Sequence, residues 1–228
     1  MSAALAGVRL LVSAGPTYED IDPVRFIGNR SSGKMGFAIA AVAAERGAEV
    51  VLVAGPVHMA TPPGVRRVDV RSAAQMHDAV MARLETGQAP CDAYIGAAAV
   101  ADFTPLAIAS NKLKKRPGQD TLVLELVKTR DILAEVAAHA LRPALVVGFA
   151  AETDDVATYA RGKLERKGVD LICANRVGIV GGGFESDDNA LLVLDRDGER
   201  ALGPASKTTL AGELLDIAAG RLSARGAG

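Results

Sequence analysis

The sequence predicts an α/β fold, a mostly parallel sheet with helices on both of its faces. Three observations predict it. Short apolar runs without polar alternation, at residues 8–14 (VRLLVSA), 49–54 (EVVLVA), 144–149 (ALVVGF) and 169–174 (VDLICA), read as strands buried on both sides. Helix-length segments ending at glycine lie among them, 34–46 before Gly47 and 153–167 before Gly168. The order strand, helix, strand recurs along the chain, which is the pattern of right-handed parallel crossovers and makes the architecture Rossmann-like.

Taken in order, the first strand (8–14) stops at Gly15-Pro16, a pair that punctuates regular structure. Residues 17–27 are a polar loop holding Asp22-Pro23. The stretch Gly28-Asn29-Arg30-Ser31-Ser32-Gly33-Lys34-Met35-Gly36 then opens the first helix. Strand 49–54 follows, then a proline-bearing loop over 56–64, a short strand near 67–70 and a helix over 72–84 with Ser72 as N-cap. Residues 93–98 (AYIGAA) form a buried strand. Residues 100–118, with Asp102, two prolines and Lys112-Leu113-Lys114-Lys115, form a long functional loop. Residues 121–128 (TLVLELVK) fit a strand, 131–140 a helix, 144–149 a strand, 153–167 a helix and 169–174 a strand. Gly181-Gly182-Gly183 marks a flexible turn, and 190–194 with 199–202 flank Asp195-Arg196-Asp197-Gly198, a hairpin with Asp-Gly at its tip. The last helix runs from a second N-cap, Ser206, to Leu222, and 223–228 frays. No repeat or linker divides the chain. Residues 1–228 therefore read as one domain with a lead-in at 1–7 and excursions at 100–128 and 189–203.

With 26 Lys+Arg against 27 Asp+Glu and a net charge of −1, nothing favours general binding to nucleic acid or to an acidic membrane surface; any positive site is local. Cys91 and Cys173 lie far apart, each in an apolar run, and read as buried reduced thiols. No run approaches the length of a membrane span, and the first residues lack the basic start and apolar centre of a signal peptide. The expectation is a soluble cytoplasmic protein.

The 28–36 stretch nearly matches the phosphate-binding pattern GxxxxGK[ST], with Gly28, Gly33 and Lys34 in register. Met35 stands where a magnesium-binding hydroxyl belongs, and a long loop separates strand from glycine, so an ordinary triphosphatase loop is disfavoured. The physics of phosphate capture survives: glycines admit the backbone, Ser31 and Ser32 offer hydroxyls, and the helix presents N–H groups and its positive dipole end. The plainer alternative is a turn that only starts a helix. A dinucleotide site is disfavoured by the missing G-x-G-x-x-G and by Val53-Ala54-Gly55-Pro56, which lacks an acid for ribose. Asp102 stands at the carboxyl edge of a strand, as a ligand contact or a loop-stabilising cap. Lys112-Leu113-Lys114-Lys115 is either a solvated basic run or a loop that closes over a triphosphate. Lys163 and Lys167, one helical turn apart, share a face and either meet one polyphosphate or are merely solvated. His58, His77 and His139 are scattered, with no spacing for a metal cage or a triad.

The runs SAGPTYEDIDPVRFIGNRSSGKMG (13–36), AAVADF (98–103), KLKK (112–115), GFAAET (148–153) and ARGKLERKGVDLICAN (160–175) resemble, in order and over nearly the whole chain, the bacterial phosphopantothenate–cysteine ligases of coenzyme A biosynthesis. The resemblance implies a two-step ligation. 4′-Phosphopantothenate attacks the α-phosphate of CTP, giving an acyl cytidylate and pyrophosphate; the amine of L-cysteine then attacks the activated carbonyl and releases CMP. Mg2+ is expected to arrive with CTP. The same resemblance implies a homodimer with shared sites, with the Asp-Gly hairpin and the 121–128 strand as candidate dimer surface. It also implies fusion to, or association with, a flavin-dependent decarboxylase. The alternatives are a non-catalytic nucleotide-binding module and a nicotinamide-dependent oxidoreductase of the same fold class.

By position, the resemblance puts Asn29 at the acyl intermediate, Lys112 in catalysis, and Arg25 on the pantothenate portion from the neighbouring subunit. It puts Gly15, Ser31, Gly33 and Gly36 around the substrate phosphate, and Ala98 and Ala99 where the strand end meets the reactants. Gly96, Asp102, Arg130, Asp131, Ile132, Leu133, Phe149, Lys163 and Lys167 match nucleotide contacts, shared with Ala98 and Lys112. Many relatives read Asn-Pro where this chain has Thr129-Arg130. The turn therefore keeps a backbone contact, and a side-chain role there is in question.

Overall fold

A computed structural model of the chain describes residues 5–85, 91–114, 118, 120–152, 155–176 and 188–226. The Gly181-Gly182-Gly183 turn, Lys115 and Thr153 lie outside the described residues. The elements in order are β1 (Arg9–Ala14), β2 (Tyr18–Asp20), β3 (Phe26–Gly28), α1 (Lys34–Glu45), β4 (Glu49–Ala54), β5 (Val65–Asp69), α2 (Ala73–Glu85), β6 (Ala93–Gly96) and β7 (Phe103–Pro105). They continue with β8 (Leu126–Lys128), α3 (Ile132–Ala138), β9 (Leu145–Glu152), α4 (Val156–Lys167), β10 (Leu171–Arg176), β11 (Asp188–Leu194), β12 (Glu199–Ser206) and α5 (Lys207–Gly226).

Eight strands form one sheet in the order β12-β11-β10-β9-β6-β1-β4-β5. The strands from β10 to β5 pair in parallel, and β11 and β12 add antiparallel at one edge. Period-two alternation splits the apolar runs between two faces. Leu10, Val12 and Ala14 of β1 pack with Phe37 and Ile39 of α1 and Leu210 and Leu214 of α5. Leu11 faces the other way, in a cluster with Met76 and Val80 of α2, Val136 of α3 and Leu164 of α4. Each of these Val, Leu, Ile, Phe and Met side chains, fully buried, contributes about 1.5–3 kcal/mol. That double coverage is why the strands read as unbroken apolar runs.

The helix ends follow the residue chemistry read from the sequence. Ser72 Oγ accepts from Gln75 N in the first turn of α2 at 3.2 Å, while Gln75 Oε1 accepts from Arg71 N just ahead of the helix at 2.8 Å, so each end of the Ser-x-x-Gln pair satisfies a free donor. Ser206 Oγ accepts from Thr209 N at 3.1 Å at the start of α5. Gly168 closes α4 in the left-handed region at φ 64°.

Three features differ from the sequence reading. The loop at 17–27 contains an antiparallel pair, β2 with β3, in which Tyr18 and Phe26 stack at 3.9 Å beneath the guanidinium of Arg71. Three-residue strands are too short for a periodicity signal. Of the 121–128 run, only Leu126–Lys128 is a strand, paired with β7 in a small separate sheet; Leu122 and Val123 lack a neighbouring strand and are exposed. The hairpin at 189–203 is joined to the principal sheet, because β11 pairs with β10 over Ile172–Ala174.

Candidate functional site

In the sheet order, β1 has β4 on one side and β6 on the other, and α1 and α2 cover opposite faces. A crevice therefore opens beyond the carboxyl ends of β1 and β6, where open parallel sheets bind ligands. The backbone continues the pairing past the strands: Ala97 N donates to Ser13 O at 2.9 Å, Ala99 N to Gly15 O at 2.8 Å, and Pro16 bridges Ala99. The two chain segments that leave the sheet here are thus held side by side.

The 28–36 turn, which follows β3, packs against the first of them, Gly33 lying beside Gly15. Gly33 is the N-cap of α1 at φ 75°, a conformation that favours glycine. Ser31 Oγ accepts from Gly33 N at 3.3 Å and Ser32 Oγ lies 3.5 Å from Lys34 N, so both hydroxyls gather at the helix start. A Cβ on Gly36 would lie 2.5 Å from Ala14 Cβ, so the first turn of α1 rests directly on β1. Asn29 Nδ2 donates to Val100 O at 2.9 Å, tying the turn to the segment after β6. The result is a cavity of about 630 Å³ whose walls include residues 29–36, Ala97–Val100, Asp102, Phe149, Lys163, Asn175, Asn189 and Lys207. Its basic groups are Arg30, Lys34, Lys163 and Lys207, and its carboxylate is Asp102.

A second cavity of about 480 Å³ lies on the other side of the β6 end, between Gly96, Asp102, Phe149, Lys128, the turn Thr129–Leu133, Lys163 and Lys167. Asp131 caps α3, its Oδ1 accepting from Ala134 N at 3.1 Å, and its other oxygen pairs with Lys167. Thr129 Oγ1 donates to Ala101 O at 2.6 Å and Thr129 N donates to Asp102 O at 3.0 Å, which fastens the α3 turn to the Asp102 segment. Arg130 pairs with Glu135 and holds that carboxyl below its usual range. At the floor, burial pushes the Tyr94 phenol up to about 12; its hydroxyl is 2.9 Å from Ser13 Oγ. The two cavities share five residues, Ala98, Val100, Asp102, Phe149 and Lys163, and Lys163 Nζ donates to Phe149 O at 2.7 Å. Both volumes suit a small ligand, and both carry more basic than acidic side chains.

Of the sequence-predicted residues, Asn29, Ser31, Gly33, Gly36, Ala98, Ala99, Asp102, Phe149 and Lys163 line the first cavity. Gly96, Ala98, Asp102, Arg130, Asp131, Ile132, Leu133, Phe149, Lys163 and Lys167 line the second. Gly15 sits behind Gly33 without lining either. Arg25 and Lys112 line neither cavity: Arg25 pairs with buried Asp22, and Lys112 is exposed. Sequence reasoning missed Tyr94, Asn175, Asn189 and Lys207, and named Thr129 only as part of a turn that departs from the family's Asn-Pro. Lys207 is only 7% exposed and comes from the first turn of α5, remote in the chain from every motif. Its one local signal was its place beside the Ser206 cap.

His77 is buried, with Nε2 3.1 Å from Glu135 Oε2, and lines a third groove away from the shared junction. Among the described residues no group of three His, Cys, Asp or Glu side chains is placed to hold a metal ion, and no helix is long and apolar enough to cross a membrane. Cys91 and Cys173 are buried free thiols, both pushed up by burial.

Residues 5–221 match the profile of the DNA/pantothenate metabolism flavoprotein C-terminal domain. The chain belongs to this family. The coenzyme A biosynthesis bifunctional protein CoaBC of Vibrio cholerae is 52% identical over 213 residues, covering 93% of this chain and 52% of the relative. Its namesake in Escherichia coli K12 is 50% identical over 212 residues, covering 92% and 51%. The chain thus spans about half the length of the curated relatives it matches. The crystal structure of the C-terminal domain of a CoaBC protein superposes with a TM-score of 0.81 at 39% identity, covering 97% of this chain and 99% of that one. A Cab2 mutant in complex with phosphopantothenate-cysteine superposes at 0.75 with 16% identity, over 97% and 89% of the two chains, a likeness of fold. The family read from the sequence motifs is therefore borne out, as is the α/β fold.

Proposed function

We propose that this chain is a phosphopantothenate–cysteine ligase of coenzyme A biosynthesis that uses CTP and passes through an acyl cytidylate. The observation that carries the reading is the pair of cavities meeting at Ala98, Val100, Asp102, Phe149 and Lys163. A ligation in two steps needs an acyl-phosphate compartment and a nucleotide compartment with one junction between them. The first cavity, walled by the α1 N-terminus, Ser31 and Ser32, suits the phosphate of 4′-phosphopantothenate. The second, with Lys128, Arg130 and Lys167, suits the triphosphate of CTP. The names of the V. cholerae and E. coli relatives, and the ligand named for Cab2, point the same way.

In this reading Lys163 stands where the carboxylate of one substrate meets the α-phosphorus of the other. The carboxylate oxygen forms the new P–O bond as pyrophosphate departs. The chain supplies positioning and charge neutralisation more than a strong base. Asn29, anchored to Val100 O, holds the activated carbonyl at the mouth of the first cavity for the cysteine amine, and CMP leaves. The donor set fits a magnesium ion carried by the triphosphate: Asp102 is the shared carboxylate, and phosphate oxygens complete such a site. When bound, the ion neutralises charge on the departing pyrophosphate.

The reading extends to a homodimer. Val24, Phe26, Phe103, Leu106, Ile108, Leu122 and Val123 expose apolar surface on and beside the adjoining β2–β3 and β7–β8 pairs, and a second copy is the occupant that buries it. The reading takes in a flavin-dependent decarboxylase as fused or associated partner, which the bifunctional naming of the relatives supports, and a cytoplasmic location. The test is a reaction with CTP, magnesium, 4′-phosphopantothenate and L-cysteine. Pyrophosphate and CMP in equal amounts are expected. CTP binding without pyrophosphate release means a non-catalytic nucleotide-binding module instead.

A further inference from the structure

Lys112 lies outside both cavities, and the chain around it is held by one buried acid to which the sequence reading gives no role. Asp22 is 1% exposed. Its Oδ1 accepts from Val24 N at 2.8 Å and Arg25 N at 2.9 Å; its Oδ2 accepts from Arg25 Nε at 3.0 Å, from Arg25 Nη2, and from Leu113 N at 3.0 Å. Arg25 Nη2 also donates to Leu113 O at 2.9 Å. The carboxylate and the guanidinium together grip both polar groups of the residue between Lys112 and Lys114, across 91 and 88 positions of sequence.

We propose that Asp22, with Arg25, is a positioning residue for the lysine loop: it fixes the Leu113 backbone and so sets where Lys112 and Lys114 are presented. This rests on the ligase reading for its catalytic consequence, and on geometry alone for the anchor. The five donors, two of them on the Arg25 guanidinium, also hold the Asp22 carboxyl well below the usual carboxylate range, with the Arg25 hydrogen bond the largest cause, so the clamp is charged throughout the neutral range. A neutral amide in its place keeps an acceptor for the turn, but has one oxygen fewer and no charge for Arg25.

Two measurements test it. In the first, Lys-C cleavage of the Lys112–Leu113 bond, followed by mass spectrometry under native conditions, is expected to be several-fold faster in Asp22→Asn than in the wild type. An unchanged rate in a folded variant overturns the anchor. In the second, pyrophosphate release is compared in wild type, D22N, K112Q and the double variant. D22N is expected to lower turnover about 10–100-fold, the scale of a misplaced group, and to add no further loss in the K112Q background. Additive losses mean that Asp22 does not act through Lys112. If D22N does not fold, Arg25→Lys carries the same two measurements, since it weakens the grip on Leu113 O from a partly exposed side chain. Should even the wild type release no pyrophosphate, the ligase reading fails while the cleavage comparison still decides the anchor.

Discussion

The two cavities are built by different means although they share a wall. The first is built around a glycine-rich helix start, with the 28–36 turn and the Ala97–Val100 segment locked by Asn29 on Val100 O and by the seat of Gly36 on Ala14, and Arg30, Lys34, Lys163 and Lys207 supply its positive charge. The second draws long charged side chains from three places, with Lys128 ending β8, Arg130 and Asp131 before α3, and Lys163 and Lys167 on α4. A wall of backbone dipoles is pre-formed and costs little to organise when a ligand arrives, whereas a wall of lysines and arginines must lose rotamer freedom as it closes on its ligand. The difference teaches that, in the proposed reading, the first cavity would add the donors of a helix start to its charges, whereas the second would rely on side-chain charge.

Substitutions can break that contrast, and the largest effect is expected at Asn29. Asn29→Asp exchanges the amide donor for a carboxylate facing Val100 O and repels the incoming substrate carboxylate. Turnover should fall about 10²–10³-fold, and steady-state pyrophosphate release measures it; activity within a few-fold of wild type would make Asn29 an ordinary turn residue. Lys163→Met is next. It removes the cation common to both cavities and the donor to Phe149 O, so catalytic efficiency for both substrates should drop about 10–100-fold; a loss confined to one substrate would show that the junction is not shared.

Gly36→Ala sharpens the contrast from the side of stability. Its Cβ would meet that of Ala14 at 2.5 Å, so overpacking should cost about 1–3 kcal/mol and lower the melting temperature by roughly 2–4 °C for each. A melting temperature equal to wild type would mean that α1 can lift from β1 freely. The smallest effect concerns pH. The Asp22 carboxyl is lowered in the folded chain, so its contribution to stability is full above the unfolded value of roughly 3.9 and is lost as pH falls from there through the lowered value. The gap in melting temperature between wild type and Asp22→Asn should therefore be widest near neutrality and narrow below about pH 4. A gap independent of pH would exclude a charged Asp22 as its source.

Much of the architecture was legible in local pattern. Unbroken apolar runs in β1, β4, β9 and β10, the caps Ser72 and Ser206 and the closing Gly168 depend on neighbours within a few residues, and so does the glycine-serine turn before α1. The three-residue strands β2, β3 and β7 were not legible, and β8 was legible only as the end of a longer run, because a period of two needs more residues than they have and their pairing partners decide them. Lys207 and Tyr94 were invisible as cavity residues for the same kind of reason: a lysine after a helix cap and a tyrosine in a strand have common structural uses, and only packing turned them toward the crevice.

By itself, then, the sequence determined the longer strand and helix segments, the family and the glycine-serine turn before α1, since each is written in residues adjacent along the chain. The tertiary structure alone decided that the hairpin extends the sheet, that Lys163 belongs to two cavities at once, and that Asp22 holds a peptide 91 positions away. Contacts of that kind arise from which strands lie side by side, and no local period records it.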